Sequence, residues 1–173
     1  MTTDTKPTLS DPAAGYAAPA ERPPFAGRAL LTGIFNAGFA AAIVAARRSG
    51  RELPERVDAR DMVLFGVAGH KISRLVTKSK VTAFARAPFT EYEGPGAPSE
   101  VEERPRGTGV RRAVAELLVC PYCLSLWLVA GLHVSALFAP RATRLVASVF
   151  GAQTISDFLQ VGYKAAEKRG LEG

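Results

Sequence analysis

Apolar segments alternate with charged or proline-rich segments along this chain. Three of the apolar segments are long enough to cross a bilayer as helices: residues 25–46, 113–139 and 145–163. Within the first, Leu30–Ala46 covers about 25 Å at a helical rise of ~1.5 Å per residue, which is a short but sufficient span. The pattern therefore predicts an all-α, multi-pass helical membrane protein with three full spans.

A fourth helix is predicted over residues 61–76, and its pattern differs from that of the three spans. Its first half is apolar all round. Its second half has apolar side chains on one side and the basic side chains of His70, Arg74 and Lys78 on the other. A helix with a basic face is typical of the membrane interface. We therefore expect 61–76 to be an interfacial or partly inserted helix beside the three spans.

The other segments are predicted to lie outside the bilayer. Residues 1–24 carry five prolines and almost no large apolar side chains, the composition of a disordered tail. Residues 77–112 form a predicted polar loop, in which 81–89 alternates as if packed on the membrane surface. The Gly-, Pro- and Glu-rich part, 94–109, is expected to be mobile. A basic tail, 164–173, follows the last span.

The net charge of the chain indicates which classes of partner it binds. A net charge of +6 and a pI near 9.7 favour an anionic partner, either nucleic acid or lipid. The basic clusters stand beside long Ala, Leu and Val runs and have no interleaved aromatic residues. They therefore lack the pattern of a nucleic-acid site and indicate the lipid bilayer as the partner.

Lysine and arginine counts predict the orientation, because cytoplasmic loops carry an excess of both. The loop from Lys78 to Arg112 carries seven and the segment after Tyr163 carries three, whereas the 140–144 turn carries two. We therefore predict a cell-membrane protein with its C-terminus and its cysteines at the cytoplasmic face. If 61–76 does not cross, Arg47–Arg60 is cytoplasmic as well, and we favour this arrangement over four spans.

The two cysteines stand in Cys120-Pro121-Tyr122-Cys123, the active-site tetrapeptide of glutaredoxins. In that soluble fold a strand precedes the motif, but here the motif follows a charged loop and continues into an apolar run, which argues against a glutaredoxin fold. Proline suits the first turn of a helix but not its interior, so we expect a helix to restart at Pro121. Cys120 then lies at a helix N-terminus, where the helix dipole favours the thiolate.

Three roles for the cysteine pair stay open. The cysteines are structural, or form a redox pair in which Cys120 is the reactive thiolate and Cys123 resolves it, or bind a metal. Zinc needs four ligands, and His133 lies ten residues, about 15 Å, beyond Cys123. Only a dimer that pools two pairs would complete a zinc site. A stable disulfide is not expected, because the cytoplasm is reducing.

Polar side chains gather at the cysteine-bearing end of the predicted helical hairpin, 113–163. The hairpin geometry places Asp157 level with about Ser125. Ionisable residues inside spans are candidates for function, while a bond to Ser125 would make Asp157 a link between helices. Glu116 is expected to pair with Arg112, four residues earlier. The candidate polar cluster comprises Glu116, Ser125, Ser156, Asp157 and Gln160.

The stretch Glu116-Leu-Leu-Val-Cys120-Pro-Tyr-Cys123-Leu-Ser-Leu-Trp127 resembles the Glu-Leu-Leu-x-Cys-x-x-Cys-x-x-x-Trp signature of a bacterial membrane protein family, catalogued as domain of unknown function number 1360. The flanks Ser73–Thr77, Arg86–Phe89 and Gly107–Arg112 agree with it. The resemblance covers roughly residues 61–163. It implies an integral membrane protein and supplies no reaction.

The sequence thus predicts an integral membrane protein that acts through protein or lipid interactions rather than catalysis. The alternatives are a membrane thiol redox protein or sensor and a dimeric metal site. No cofactor is predicted, and zinc is expected only if two chains pool their cysteine pairs in a dimer. The expected partners are the bilayer and a second copy of the chain, without nucleic acid. One face of the first span carries small residues that let another helix approach: Gly33, Ala37, Ala41 and Ala45.

Overall fold

Helices dominate the structure, as the hydrophobic pattern predicts. The computed structural model describes residues 15–18 and 22–171, so most of the predicted 1–24 tail lies outside the described residues. The described elements are α1 (Phe25–Arg48), α2 (Ala59–Lys78), a 3-10 turn (Lys80–Thr82), α3 (Ala83–Arg86), β1 (Thr90–Pro95), β2 (Val101–Pro105), α4 (Gly109–Val119), α5 (Pro121–Phe138) and α6 (Pro140–Leu171).

Helix α2 packs lengthwise against both α5 and α6. Phe65 and Ala68 of α2 are buried with Ala147 of α6, and this cluster is the apolar core of the bundle. Gly69 lies directly against Val129 of α5, where a Cβ atom would have no room. The small side chains therefore set the short distance between the helices.

Helix α2, expected to be interfacial or partly inserted, lies beside α6, and its position in the membrane stays a prediction. Asp61 pairs with Arg144 near the start of α6, and Lys71 pairs with Asp157 further along, so α2 and α6 run parallel. Phe65 stacks edge-on against His133 of α5, with ring centroids 5.1 Å apart. The sequence pattern alone did not indicate the carboxylate partner of this basic face, which lies on α6, 86 residues away in the chain.

Helix α1 runs alongside α4 and α5. Gly27 sits where a Cβ atom would lie 2.8 Å from the Cβ of Ala113, so the start of α1 touches α4 closely. Phe35 meets Trp127 of α5 edge-on, with centroids 5.1 Å apart. The face that carries Gly33, Ala37, Ala41 and Ala45 is exposed.

The four long helices define two ends of the bundle. At the turn end, Arg51 donates from Nη1 to the Leu137 carbonyl at 2.9 Å and stacks on the Phe138 ring, close to the Asp61–Arg144 ion pair. The opposite, cysteine end holds the start of α1, the end of α2, the β-hairpin, α4 and the cysteine pair. The 47–60 linker thus lies near the 140–144 turn and away from the cysteines, while the side of the membrane on which it lies stays a prediction.

The predicted polar loop, 77–112, is folded. β1 and β2 pair antiparallel from Thr90–Pro105 to Pro95–Val101, with an irregularity between Tyr92 and Gly94. The buried guanidinium of Arg86, in α3, contacts both this hairpin and α2. Arg86, 1% exposed, donates to Glu103 Oε2 of β2 at 2.5 Å and to the Val76 carbonyl of α2 at 2.6 Å. Charges that suggested a solvated loop are therefore paired inside the protein.

Gly69 provides a test of the contact between α2 and α5. A Cβ atom there would overlap Val129 Cγ2 but lie 3.7 Å from Val129 Cβ. We expect Gly69→Ala to lower the free energy of unfolding by ~1–3 kcal/mol, as overpacking does. In a Val129→Ala background the obstructing methyl is gone, so Gly69→Ala should be much less destabilising. Thermal unfolding of the detergent-solubilised protein measures both effects.

Gly66→Ala, three residues earlier on α2, is the matched control. No described atom lies within 4 Å of a Cβ atom at Gly66. Alanine is preferred over glycine in a helix by up to ~1 kcal/mol, so this variant should be as stable as the parent or more stable. Equal losses for Gly66→Ala and Gly69→Ala, or additive losses in the double variant, would contradict the packing described for α2.

Candidate functional site

The cysteine pair lies at a break between two helices. α4 ends at Val119, Cys120 is extended (φ −103°, ψ 101°), and α5 begins at Pro121. The Cys123 amide donates to Cys120 Sγ at 3.1 Å, so the sulfur caps the first turn of α5. The predicted restart at Pro121 is confirmed. It follows from proline's missing N–H, which removes no hydrogen bond at the first helical position.

The structure joins Cys120 and Cys123 as a disulfide, with their Cα atoms 5.3 Å apart. The first turn of a helix brings residues i and i+3 together, which is why the two sulfurs meet. Whether the disulfide is stable in the cell stays a prediction based on the compartment. Cys123 is exposed and Cys120 is half-buried. Exposure therefore favours Cys123, whereas the helix N-terminus favours the thiolate at Cys120.

Metal binding gains no further ligand in the structure. Among the described residues, no three His, Cys, Asp or Glu side chains are grouped so as to hold an ion. The dimeric four-thiolate zinc site stays a prediction. His133 is engaged on its own helix, with Nδ1 2.9 Å from the Val129 carbonyl.

A largely apolar cavity of about 460 Å³ opens beside Cys123, between α1, α4 and α5. Phe35 and Trp127 form part of its wall, and Arg28 and Glu116 line it as well. Arg28 Nε donates to Glu116 Oε2 at 3.0 Å. Arg112 also pairs with Glu116, at 3.2 Å, which confirms the predicted i,i+4 pair. The pairing of Arg28 with Glu116 had no sequence signal, since Arg28 is a lone charge at the start of an apolar segment, 88 residues from Glu116.

The predicted polar cluster does not assemble as expected. Ser125 Oγ donates to the Tyr122 carbonyl of its own helix at 2.8 Å, so the link from Asp157 to Ser125 is not formed. Asp157 instead accepts from Lys71 of α2 and from Gln153. Ser156 is half-buried on α6, and Gln160 is exposed. The correction has one cause: the hairpin geometry considered α5 and α6 alone, while α2 supplies the partner.

Asp157 and Gln160 line a charged cleft of about 590 Å³ between α2, α6 and the loop of the β-hairpin. Two ion pairs cross it, Lys71–Asp157 and Arg74–Glu100. Arg74 Nη2 donates to Glu100 Oε1 at 2.7 Å. Together the pairs neutralise two cations of α2 within the bundle, which removes much of the unfavourable energy of placing them there.

The fold and the site together define a class of protein, a helical bundle with a cysteine pair at the N-terminus of an apolar helix. Among the described residues, two helices, α1 and α5, are long and apolar enough to cross a membrane. The third predicted span, 145–163, lies within α6 and stays a prediction.

The chain belongs to the family described as protein of unknown function, DUF1360, whose model matches residues 64–163. The match runs from α2 to α6 and so contains the β-hairpin, the cysteine pair and the charged cleft, while α1 lies outside it. No curated protein and no solved structure matches the chain. The family resemblance noted in the sequence is therefore confirmed.

The Lys71–Asp157 pair gives a prediction about the charged cleft. Asp157→Ala leaves Lys71 unpaired beside Arg74, so we expect a loss of roughly 1 kcal/mol in unfolding free energy, limited because Asp157 is 45% exposed. Adding Lys71→Met removes the uncompensated charge and should restore most of the loss. Thermal unfolding in detergent measures the cycle.

Glu167→Gln, near the end of α6, serves as the control and should leave stability unchanged. If the double variant loses as much unfolding free energy as the two single variants together, the two side chains do not act as a pair.

Proposed function

We propose that α1, α2, α5 and α6 cross the lipid bilayer together. Only 6% of the apolar part of α1 and none of that of α5 is buried inside the protein, unlike the core helices of a soluble domain. α2 and α6 run beside α5, and α6 exposes large apolar side chains such as Leu145, Val149 and Leu159. Such surface is unfavourable in water and suits lipid tails.

We place the cysteine end in the cytoplasm of the cell. It carries the seven lysines and arginines of 78–112 and the three after Tyr163. The turn end carries the five of 47–60 and the two of 140–144. The excess at the cysteine end supports this orientation even with α2 crossing.

For the cysteine pair we propose thiol–disulfide exchange. The observation that carries this proposal is the Cys120–Cys123 disulfide at the N-terminus of α5. Disulfides in a reducing compartment are usually transient and redox-active. Cross-linking residues only three apart closes a very short loop, so it constrains the unfolded chain little and serves stability poorly. The helix N-terminus and the Cys123 amide favour a thiolate at Cys120.

In this exchange the protein reduces a partner disulfide in two steps. The Cys120 thiolate attacks one partner sulfur, which forms a mixed disulfide and releases the first partner thiolate. Cys123 then loses its proton and attacks Cys120 Sγ, which forms the internal disulfide and releases the second thiolate. Two electrons pass to the partner, a small disulfide or a protein disulfide, and the reverse steps regenerate the dithiol.

A second candidate function, interaction without catalysis, rests on α1. Its stripe of small residues, Gly33, Ala37, Ala41 and Ala45, is exposed and would allow another membrane helix to approach closely. A homo-oligomer is the simplest partner for that face.

The redox proposal is tested by equilibrating the purified protein with glutathione buffers of graded ratio and counting alkylated thiols by mass. We expect one reversible two-electron transition, above the potential of about −300 mV below which structural disulfides lie. In single-thiol variants, the thiol of Cys123→Ser, which keeps Cys120, should alkylate faster than that of Cys120→Ser. Equal slow alkylation, or thiols that stay reduced at every ratio, would rule the exchange function out.

A further inference from the structure

Cys123 shares one space with two aromatic side chains. Cys123 and Trp127 are four residues apart on α5 and so project from the same face of the helix. Both line the cavity between α1, α4 and α5, and Phe35 of α1 meets the Trp127 ring at 5.1 Å. A flat apolar ring packed against these two aromatic side chains would share the cavity with Cys123.

The same cavity has one polar edge. Glu116 accepts from Arg28 Nη2 at 2.9 Å and from Arg112 Nε at 3.2 Å. The guanidinium of Arg28 uses Nε and Nη2 in this contact and has further N–H donors. The cavity thus offers hydrogen-bond donors at one edge and apolar walls elsewhere, which suits a ring that carries carbonyl oxygens on an apolar body.

We infer that this cavity binds a membrane quinone, which accepts the electrons of the Cys120–Cys123 dithiol; the inference rests on the redox function proposed above. Oxidation of a dithiol releases two electrons and two protons, and a quinone takes up both. A lipid-soluble acceptor reaches the site from the bilayer, since α1 and α5 are the helices most apolar along their length. The volume of about 460 Å³ accommodates a substituted ring and the start of its tail.

The step places Cys123 against the quinone, because Cys123 and not Cys120 lines the cavity. The Cys123 thiolate adds to a ring carbon, which forms a C–S bond and an oxyanion at the ring carbonyl near Arg28. The Cys120 thiolate then attacks Cys123 Sγ. The S–S bond forms, the C–S electron pair returns to the ring, and two protons complete the hydroquinone.

The test uses the pre-reduced, full-length protein in detergent under oxygen-free conditions with decylubiquinone. Its ring is fully substituted, so stable thiol addition is blocked. Quinone absorbance and alkylated thiols are followed together. We expect one quinone reduced and two thiols lost per chain, at a rate that saturates with quinone concentration. Phe35→Ala and, separately, Trp127→Leu should each lower that rate at low quinone by about tenfold.

Ile34→Ala, at an exposed neighbouring position on α1, is the control and should leave the rate unchanged. A rate that does not saturate and is unaffected by either cavity variant would overturn the inference. So would absence of quinone reduction by a protein whose cysteines still cycle in glutathione buffers, and that result would leave the exchange function intact. Absence of cycling in glutathione as well would instead refute the exchange function itself.

Discussion

The close packing of α2 against α5 and α6 is the constraint on which the rest of the structure depends. Gly69 admits Val129 at a distance that no side chain would allow, and Phe65 and Ala68 bury against Ala147. This packing fixes the direction of α2 and brings Lys71 to Asp157. It also brings the end of α2 to the cysteine end, where Arg86 attaches the hairpin. The packing that positions α2 therefore also brings its basic side chains to their acidic partners.

The cysteine pair depends on a second, local constraint. The chain leaves α4 extended at Cys120 and restarts at Pro121, so both sulfurs lie in the first turn of α5. The apolar part of α5 continues from that turn toward the other end of the bundle. A redox pair at this position touches both water and the apolar cavity beside Trp127. In the two proposed reactions, soluble thiols and a lipid-soluble acceptor would use the same cysteine pair, with the acceptor entering beside Cys123.

Local features of this chain were predictable from the sequence, and long-range ones were not. The restart at Pro121 follows from the backbone chemistry of proline, and the Glu116–Arg112 pair follows from helical spacing. The partners of the basic face of α2 were not predictable, because periodicity shows which side chains share a face but not what that face meets. Glu103, in the part of the loop that was expected to be mobile, forms an ion pair with Arg86, 17 residues earlier. The charged cleft is likewise formed by three elements, and the residue pattern of one element does not predict which other elements it contacts.

We propose that α2 crosses the membrane, so that the 47–60 linker and the 140–144 turn lie on the same side of it. In a Cys120→Ser, Cys123→Ser background, single cysteines at Glu55, Ala142 and Ala97 would be labelled with a membrane-impermeant maleimide in intact and in permeabilised cells. All three positions are exposed. The account predicts labelling of Glu55→Cys and Ala142→Cys in intact cells, and of Ala97→Cys only after permeabilisation. Labelling of Glu55→Cys together with Ala97→Cys, and apart from Ala142→Cys, would show that α2 does not cross and would contradict the account.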